Sequence, residues 1–213
     1  MKKQISDFRR EYHFSSLSEN TMATDPIIQF NVWLREALKA KIEEPNSIVL
    51  STSDHNGNVS GRVVLLKGIE KGGFVFFTNY DSRKGVQIES NPKAALTFHW
   101  QTMERQIRIE GIVKKITRKE SVAYFKSRPV DSQISSNISP QSSVIPDRAF
   151  LESMRDGFLL DLQGSSPQCP ENWGGYRLKP IRVEFWQGRP HRLHDRIQYR
   201  KIAQKWILER LAP

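Results

Sequence analysis

Between Ile48 and Ile116 the chain consists of short runs of β-branched and aromatic residues, each cut off by a tight-turn signal, and this constrains the fold more than any other feature. Ile48 to Ser53 and Val59 to Leu66 flank Asn56-Gly57, a dipeptide suited to a hairpin turn because both residue types tolerate positive φ. Gly72-Gly73 marks the next turn and Phe74 to Asn79 the next strand. Ala94 to Trp100 and Arg105 to Ile116 read as a further hairpin pair, so five strands arrive within about 70 residues.

Helices enter as inserts rather than as regular crossovers. Thr24 or Asp25 caps a helix with Pro26 in its first turn, and Ile27, Phe30, Leu34 and Leu38 recur at helical spacing until Pro45 stops it. A short helix follows Ser82 and ends near Asn91-Pro92. Thr117 and Glu120 form a capping box opening a helix that carries Val122, Tyr124 and Phe125 and closes at Arg128-Pro129. A polar loop of Ser, Gln and Asn is expected next, then a helix from Arg148 to Leu162 with Phe150, Leu151, Met154 and Phe158 as its apolar stripe. Strands from Arg177 to Trp186, Arg192 to Tyr199 and Trp206 to Leu211 finish the chain. Short strands with tight turns predict a mainly β fold with α inserts, an antiparallel barrel rather than a doubly wound sheet.

The 213 residues suit one domain, 1–213, with residues 1–24 as a polar and mobile arm. No apolar run approaches the roughly 20 residues that span a bilayer, and Met1 to Tyr12 is polar and charged, so a cytoplasmic protein without a membrane partner is expected. Cys169 is the only cysteine, which leaves no internal disulfide and no thiol cluster for zinc.

A formal charge of +10 calls for an anionic partner. The bases are scattered: Arg62, Lys67, Arg83, Lys84, Arg128, Arg192 and Arg196 stand singly or in pairs beside turn or strand signals. That distribution suits discrete phosphate pockets better than a duplex-binding stripe, so no nucleic acid is expected as partner. No glycine-rich phosphate motif of the dinucleotide or P-loop kind is present, which leaves side chains to hold a phosphate. Arg62 and Lys67 would lie roughly 16 Å apart along one strand and serve different ends of a ligand. Ser82-Arg83-Lys84 adds two cations to the free amides of a helix start.

The C-terminal stretch carries Trp173-Gly-Gly-Tyr-Arg177, Glu184-Phe-Trp-Gln-Gly188 and His191-Arg-Leu-His-Asp-Arg196. If Arg192, His194 and Arg196 alternate in a strand, all three project from one face and make it an anion site. His13, His55 and His99 share no ligand spacing with His194, so no metal is expected.

These residues resemble the pyridoxine/pyridoxamine 5′-phosphate oxidases over nearly the whole chain. The carriers are Arg62-Val-Val-Leu-Leu-Lys67, Phe76-Phe-Thr-Asn79, Ser82-Arg-Lys84, Glu104-Arg-Gln106, Tyr124-Phe125, Ser127-Arg-Pro129, Asp131-Ser-Gln-Ile134, Gln141-Ser142, Glu184 to Gly188, Arg192 to Arg196 and Arg210 to Pro213. Any one would be weak, but all of them in order are specific.

The resemblance implies an FMN-binding split β-barrel, a homodimer, and FMN held in a cleft built from both subunits. It assigns Arg62, Arg83, Lys84, Gln141 and Ser142 to the FMN phosphate and ribityl end. The strand Arg62, Val63, Val64, Leu65, Leu66 and Lys67, with Phe77, Thr78, Gln106, Trp186 and Arg196, would line the rest of the flavin. Substrate phosphate falls to Lys67, Tyr124, Arg128 and Ser132. Arg192, Leu193 and His194 would close over the pyridine ring, with Arg192 and His194 as the catalytic pair, and Arg9 with Tyr12 would form a lid. The implied reaction oxidises pyridoxine or pyridoxamine 5′-phosphate to pyridoxal 5′-phosphate, with O2 as acceptor and H2O2 as product.

The sequence departs from the family pattern after Asp131-Ser-Gln-Ile134, where Gly-Ala-Trp is usual and Ser135-Ser136-Asn137 stands here, and Glu44 replaces a common aspartate. A related split-barrel flavin oxidase with another aromatic substrate would share fold and cofactor. A non-catalytic flavin-binding barrel would keep Arg62, Arg83 and Lys84 without needing Arg192 and His194. A nucleic-acid-binding barrel would stack bases on the strand aromatics.

Overall fold

The computed structural model describes residues 4–7 and 11–213. In chain order it runs α1 (Pro26–Lys39), β1 (Ser47–Ser53), β2 (Val59–Leu65), β3 (Gly68–Glu70), β4 (Gly73–Asn79), α2 (Arg83–Ser90), β5 (Lys93–Trp100), β6 (Arg105–Lys115), α3 (Arg118–Ser127), α4 (Val130–Ile138), α5 (Arg148–Leu162), β7 (Trp173–Gln187), β8 (Asp195–Ile202) and β9 (Lys205–Leu211). The strands form one sheet in the order β2-β1-β5-β6-β7-β4-β3, with β8 on β7 and β9 on β8. The pairs β3/β4, β4/β7, β7/β8 and β8/β9 are antiparallel.

By packing, the chain divides into two compact units. One comprises the described part of residues 1–50 with 95–111 and 180–213; the other comprises 51–94 and 112–179. In the first, α1 starts where Asp25 accepts hydrogen bonds from the Ile27 and Ile28 amides, and Pro26 occupies a first-turn position that needs no donor. Its buried face is Pro26, Gln29, Phe30, Trp33 and Ala37, whereas Leu38, expected on that face, is exposed. Phe30 packs edge-on to Phe98, and Trp33 to Phe185. Each such ring contributes about 1.5–3 kcal/mol of burial free energy.

In the second unit β4 is buried along nearly its whole length and pairs with the start of β7, Phe77 opposite Gly175 and Asn79 opposite Trp173. The β3–β4 turn falls at Lys71-Gly72, both at positive φ, so Gly73 is already in the strand. α2 begins on Ser82, whose hydroxyl accepts from the Gly85 amide. Gly85 is required there, since a Cβ would come within 2.0 Å of the Tyr80 carbonyl oxygen. α3 opens on the expected capping box of Thr117 and Glu120.

Four elements differ from the sequence reading, the first being the short strand β3 (Gly68–Glu70), which it did not include. The stretch expected to be a polar loop after Pro129 contains helix α4, held by its own polar side chains: Ser135 and Ser136 donate to carbonyls one turn back, and so does the Asn137 amide. The α5 stripe exists, but no residue of that helix is buried, and Phe150, Met154, Leu159 and Leu160 are exposed. Arg192 and His194 are not in a strand. Pro190 to Arg192 form a 3-10 turn with His191 and Arg192 at φ 56° and 61°, and β8 starts only at Asp195. No alternation along a strand therefore joins Arg192 and His194 to Arg196.

Candidate active site

A cleft of about 550 Å³ lies within the second unit. One wall is Arg62, Val63, Val64 and Leu65 of β2 with Lys67 beyond its end; Phe77, Thr78 and Asn79 of β4 and Trp173 of β7 contribute further. Tyr124 of α3, Arg128 at its end, Ser135 and Ser136 of α4, and then Ser139, Gln141 and Lys84 complete the lining. Phe77 and Tyr124 stack at 3.8 Å, and both rings lie nearly parallel to Trp173. Gly175 permits this arrangement, because a Cβ there would meet the Phe77 ring at 2.8 Å and Ile116 at 2.4 Å.

The polar side of the cleft is built on a buried amide. Gln87, on the inner face of α2, accepts at Oε1 from the hydroxyls of Thr52 and Ser60, each at 2.6 Å, and donates to the Asn58 carbonyl. With their protons committed to Gln87, the two hydroxyls accept from Arg62, Thr52 from Nη1 at 2.6 Å and Ser60 from Nη2. Lys84 donates to Ser82 Oγ at 3.0 Å and to Gln141 Oε1 at 2.7 Å, and Thr78 donates to the same Gln141 oxygen at 3.1 Å. Arg128 lies with its guanidinium 4.6 Å from the Trp173 ring centre and donates to Ser136 Oγ at 2.8 Å.

Electrostatically the cleft is under-compensated. Among the described residues Lys67, Arg83, Lys84 and Arg128 form no ion pair with any carboxylate, whereas Arg105, Arg177, Arg196, Arg200 and Arg210 all do. Burial, followed by the charge of Arg62, lowers the Lys84 ammonium from 10.5 to about 8. Burial and the neighbouring Arg83 also lower Arg62, and burial lowers Arg128. Buried like charges drawn together disfavour their own protonated forms, and an anion arriving beside them would reverse that effect.

A second cavity, of about 660 Å³, is lined by Arg83, Gln141, Ser142 and Ser143 with Asp54, Asn58, Val59, Asp81, Val86 and Gln87. Gln141 lines both cavities, and Ser142 sits at φ 77°. Of the expected residues, Arg62 to Leu65, Lys67, Phe77, Thr78, Lys84, Tyr124, Arg128 and Gln141 come together in the cleft, and Arg83 and Ser142 in this adjoining cavity. Leu66 is buried, and Ser132 is not part of the cleft wall.

The remaining expected residues, Arg9 apart, belong to the first unit. Tyr12, Trp186 and His194 form a ring cluster with centroid distances of 4.8–5.7 Å. Gly188 makes room for Tyr12, which lies 2.8 Å from where a Cβ would be. His194 Nδ1 accepts from the Arg189 amide at 3.1 Å, so neutral His194 carries its proton on Nε2. Arg192 and Leu193 are exposed, Arg192 on left-handed backbone that is costly for a non-glycine residue. Arg196 is engaged bidentately by Glu184 at 2.8 and 3.1 Å, with a third bond to the Ala212 carbonyl. Gln106 is half-buried in β6, and Arg9 lies outside the described residues. The chain from Glu11 to Leu17 is tied down: the Phe14 amide donates to Glu104, the Leu17 amide to Asp195, and Glu11 accepts from the His191 amide.

Sequence reasoning assigned no ligand role to Asn79, Ser135, Ser136, Ser139 or Trp173 of the cleft wall, nor to the Thr52, Ser60 and Gln87 support behind Arg62. Trp173 stood in a conspicuous motif, and Ser135-Ser136 marked a departure from the family pattern.

A mainly antiparallel sheet with helical inserts carries an aromatic, cation-lined cleft in which, among the described residues, Lys67, Lys84 and Arg128 have no carboxylate counterion, the class of site suited to a planar phosphorylated ligand. Residues 34–154 match the family described as pyridoxamine 5′-phosphate oxidase, and residues 173–213 match the pyridoxine 5′-phosphate oxidase C-terminal dimerisation region. The pyridoxine/pyridoxamine 5′-phosphate oxidase of Cupriavidus metallidurans is 51% identical over 211 residues, covering 99% of both chains. That of Pseudomonas paraeruginosa is 48% identical over 215 residues, all of both chains. Among solved structures, PhzG from Burkholderia lata in complex with tetrahydrophenazine-1-carboxylic acid has a TM-score of 0.85 at 30% identity, covering 91% of this chain and 95% of that one. An FMN-binding, pyridoxamine 5′-phosphate oxidase-related protein of Nostoc punctiforme shares the fold at TM-score 0.71 and 18% identity, covering 90% of this chain and 100% of that one. This chain belongs to the pyridoxamine 5′-phosphate oxidase family, and its fold is the split β-barrel expected from the sequence.

Proposed function

We propose that the protein is an FMN-dependent oxidase that converts pyridoxine or pyridoxamine 5′-phosphate to pyridoxal 5′-phosphate, acting as a homodimer in the cytoplasm. The observation that carries the proposal is the set of cations around a stacked aromatic cleft, where among the described residues Lys67, Lys84 and Arg128 form no ion pair with a carboxylate. Family membership through relatives about half identical over their full length adds the substrate class. The match of residues 173–213 to a dimerisation region supports the homodimer.

The residues fit FMN. A phosphate dianion needs several charge-assisted donors, and Arg62 and Lys84, with Gln141 beside them and Arg83 and Ser142 adjoining, supply them. The β2 backbone from Arg62, with Phe77 and Thr78, offers edges and faces to a planar ring system. When bound, FMN supplies the acceptor for a hydride from the substrate's 4′ carbon, and O2 takes the electron pair on as H2O2. The alcohol yields the aldehyde directly; the amine yields it with uptake of water and release of ammonia.

Lys67, Tyr124 and Arg128 take the substrate phosphate as a handle, converting remote binding energy into orientation of the reacting carbon. Arg192 positions the pyridine ring and assists proton transfer. His194 donates a hydrogen bond from Nε2, because Nδ1 is already engaged by the Arg189 amide. The test is the absorption spectrum of the purified chain and its peroxide release with pyridoxamine 5′-phosphate. Flavin bands followed by stoichiometric H2O2 support the assignment. Flavin bands with peroxide release from tetrahydrophenazine-1-carboxylic acid, the compound in the PhzG complex, and none from the phosphate ester would overturn the substrate assignment.

A further inference from the structure

The family resemblance gives a serine of the substrate-phosphate subsite at position 132, yet the α4 hydroxyl beside the cleft's guanidinium is one turn further on. Ser136 lines the cleft and Ser132 does not. Ser136 Oγ donates to the Ser132 carbonyl at 3.0 Å and accepts from Arg128 Nη1 at 2.8 Å. On its other side Arg128 rests on Trp173. Among the described residues, Ser136 is the one hydrogen-bond acceptor of the Arg128 side chain.

We propose that Ser136 is a positioning residue for the phosphate monoester of the substrate, acting through Arg128; this rests on the function proposed above. An arginine side chain loses substantial rotamer freedom when it binds, and a guanidinium already clamped between a ring face and a hydroxyl has lost part of it beforehand. One Nη1 bond to Ser136 leaves the rest of the planar fork to meet phosphate oxygens. The clamp is neutral, so it orients the cation without cancelling the charge the anion needs. A carboxylate at the same place would orient Arg128 equally well and repel the ligand. Ser136 arises in the stretch that departs from the usual family sequence, so this is a property of the present chain rather than of the family pattern.

The substitution that tests this is benign to the fold, because Ser136 and the control position Asn137 lie within a helix, where alanine is the better former. Ser136→Ala and Asn137→Ala, the latter at a neighbour in the same helix that is not part of the cleft wall, are compared with the wild-type holoenzyme in steady-state oxidation of pyridoxamine 5′-phosphate, in FMN content, and in thermal stabilisation by inorganic phosphate. Ser136→Ala is expected to raise KM about fivefold, the usual consequence of losing one hydrogen bond, with kcat and FMN content within twofold of wild type. It is also expected to weaken stabilisation by phosphate, and Asn137→Ala to change KM less than twofold. An unchanged KM in Ser136→Ala, or equal rises in both variants, overturns the inference. If the wild type does not oxidise the substrate, the proposed function fails; phosphate stabilisation that Ser136→Ala weakens would still uphold the clamp, and stabilisation equal in both proteins would sink it.

Discussion

The cations of the cleft and those of the C-terminal strands look alike in the sequence and behave in opposite ways in the structure. In β8 and β9 every arginine has a carboxylate: Arg196 takes Glu184, Arg200 takes Glu209, and Arg210 takes both Glu19 and Asp195. In the cleft, Lys84 and Arg128 rest on neutral hydroxyls, an amide and a ring face. Hydrogen bonding to Glu184 raises the Arg196 pKa, whereas burial lowers those of Lys84 and Arg128. Isolated basic residues are thus of two kinds: those neutralised to hold strands together and those left charged for a ligand. Only the second kind is disfavoured by its own surroundings until an anion arrives.

The largest expected effect of breaking this contrast is on cofactor affinity. Arg62→Ala combined with Lys84→Ala removes two charge-assisted donors, each worth about 1.5–3 kcal/mol, and should weaken FMN binding about 10²–10⁴-fold by fluorescence titration. The melting temperature of the FMN-free protein should hold or rise, since a repelling pair is lost; a large drop would show that these cations are structural.

The opposite outcome is expected at Glu184, which is 6% exposed and engages Arg196 and, at 3.4 Å, Arg108. Glu184→Ala leaves both without that carboxylate. Because Arg196 is about a quarter exposed, the cost is about 2 kcal/mol rather than that of a fully buried pair, or several degrees of melting temperature. A variant that melts with the wild type would mean the C-terminal pairs are ornamental.

Smaller still is the pH response of Lys84. Between about 8 and 10.5 the unfolded chain retains a proton that the folded, ligand-free protein has shed, so stability without FMN should rise with pH across that window. FMN affinity should fall over the same range as the ammonium is lost. Lys84→Arg should abolish both trends, and persistence of either in that variant would assign it to another group. Least of all, Ser82→Ala removes the α2 cap and one acceptor of Lys84, costing about 1 kcal/mol of stability by denaturant titration.

The legible parts of the molecule were those with a local physical signature. Asp25 before Pro26 and the Thr117/Glu120 box located their helices, and β-branched runs between glycine turns located most strands of the sheet, the short β3 excepted. Helix α4 was hidden because Ser, Asp and Asn favour turns by competing for the backbone; here their side chains bond back into the helix, a choice no local preference reveals. The turn at His191-Arg192 was hidden because positive φ at non-glycine residues leaves no compositional trace. Most of the cleft's residues were legible through the family motifs. Which cations would be neutralised was not, since the bond from Arg196 to Glu184 depends on the β7/β8 register, in which Arg196 lies opposite Trp186.

The central claim is that the unneutralised cations of the cleft hold the phosphate of a flavin. Isothermal titration of the FMN-free protein with FMN and, in parallel, with riboflavin tests it most directly. One FMN per chain, bound at least about a hundredfold more tightly than riboflavin, is the predicted result, since the phosphate draws on several charge-assisted bonds. Equal affinity for the two, or no binding of FMN, would contradict it.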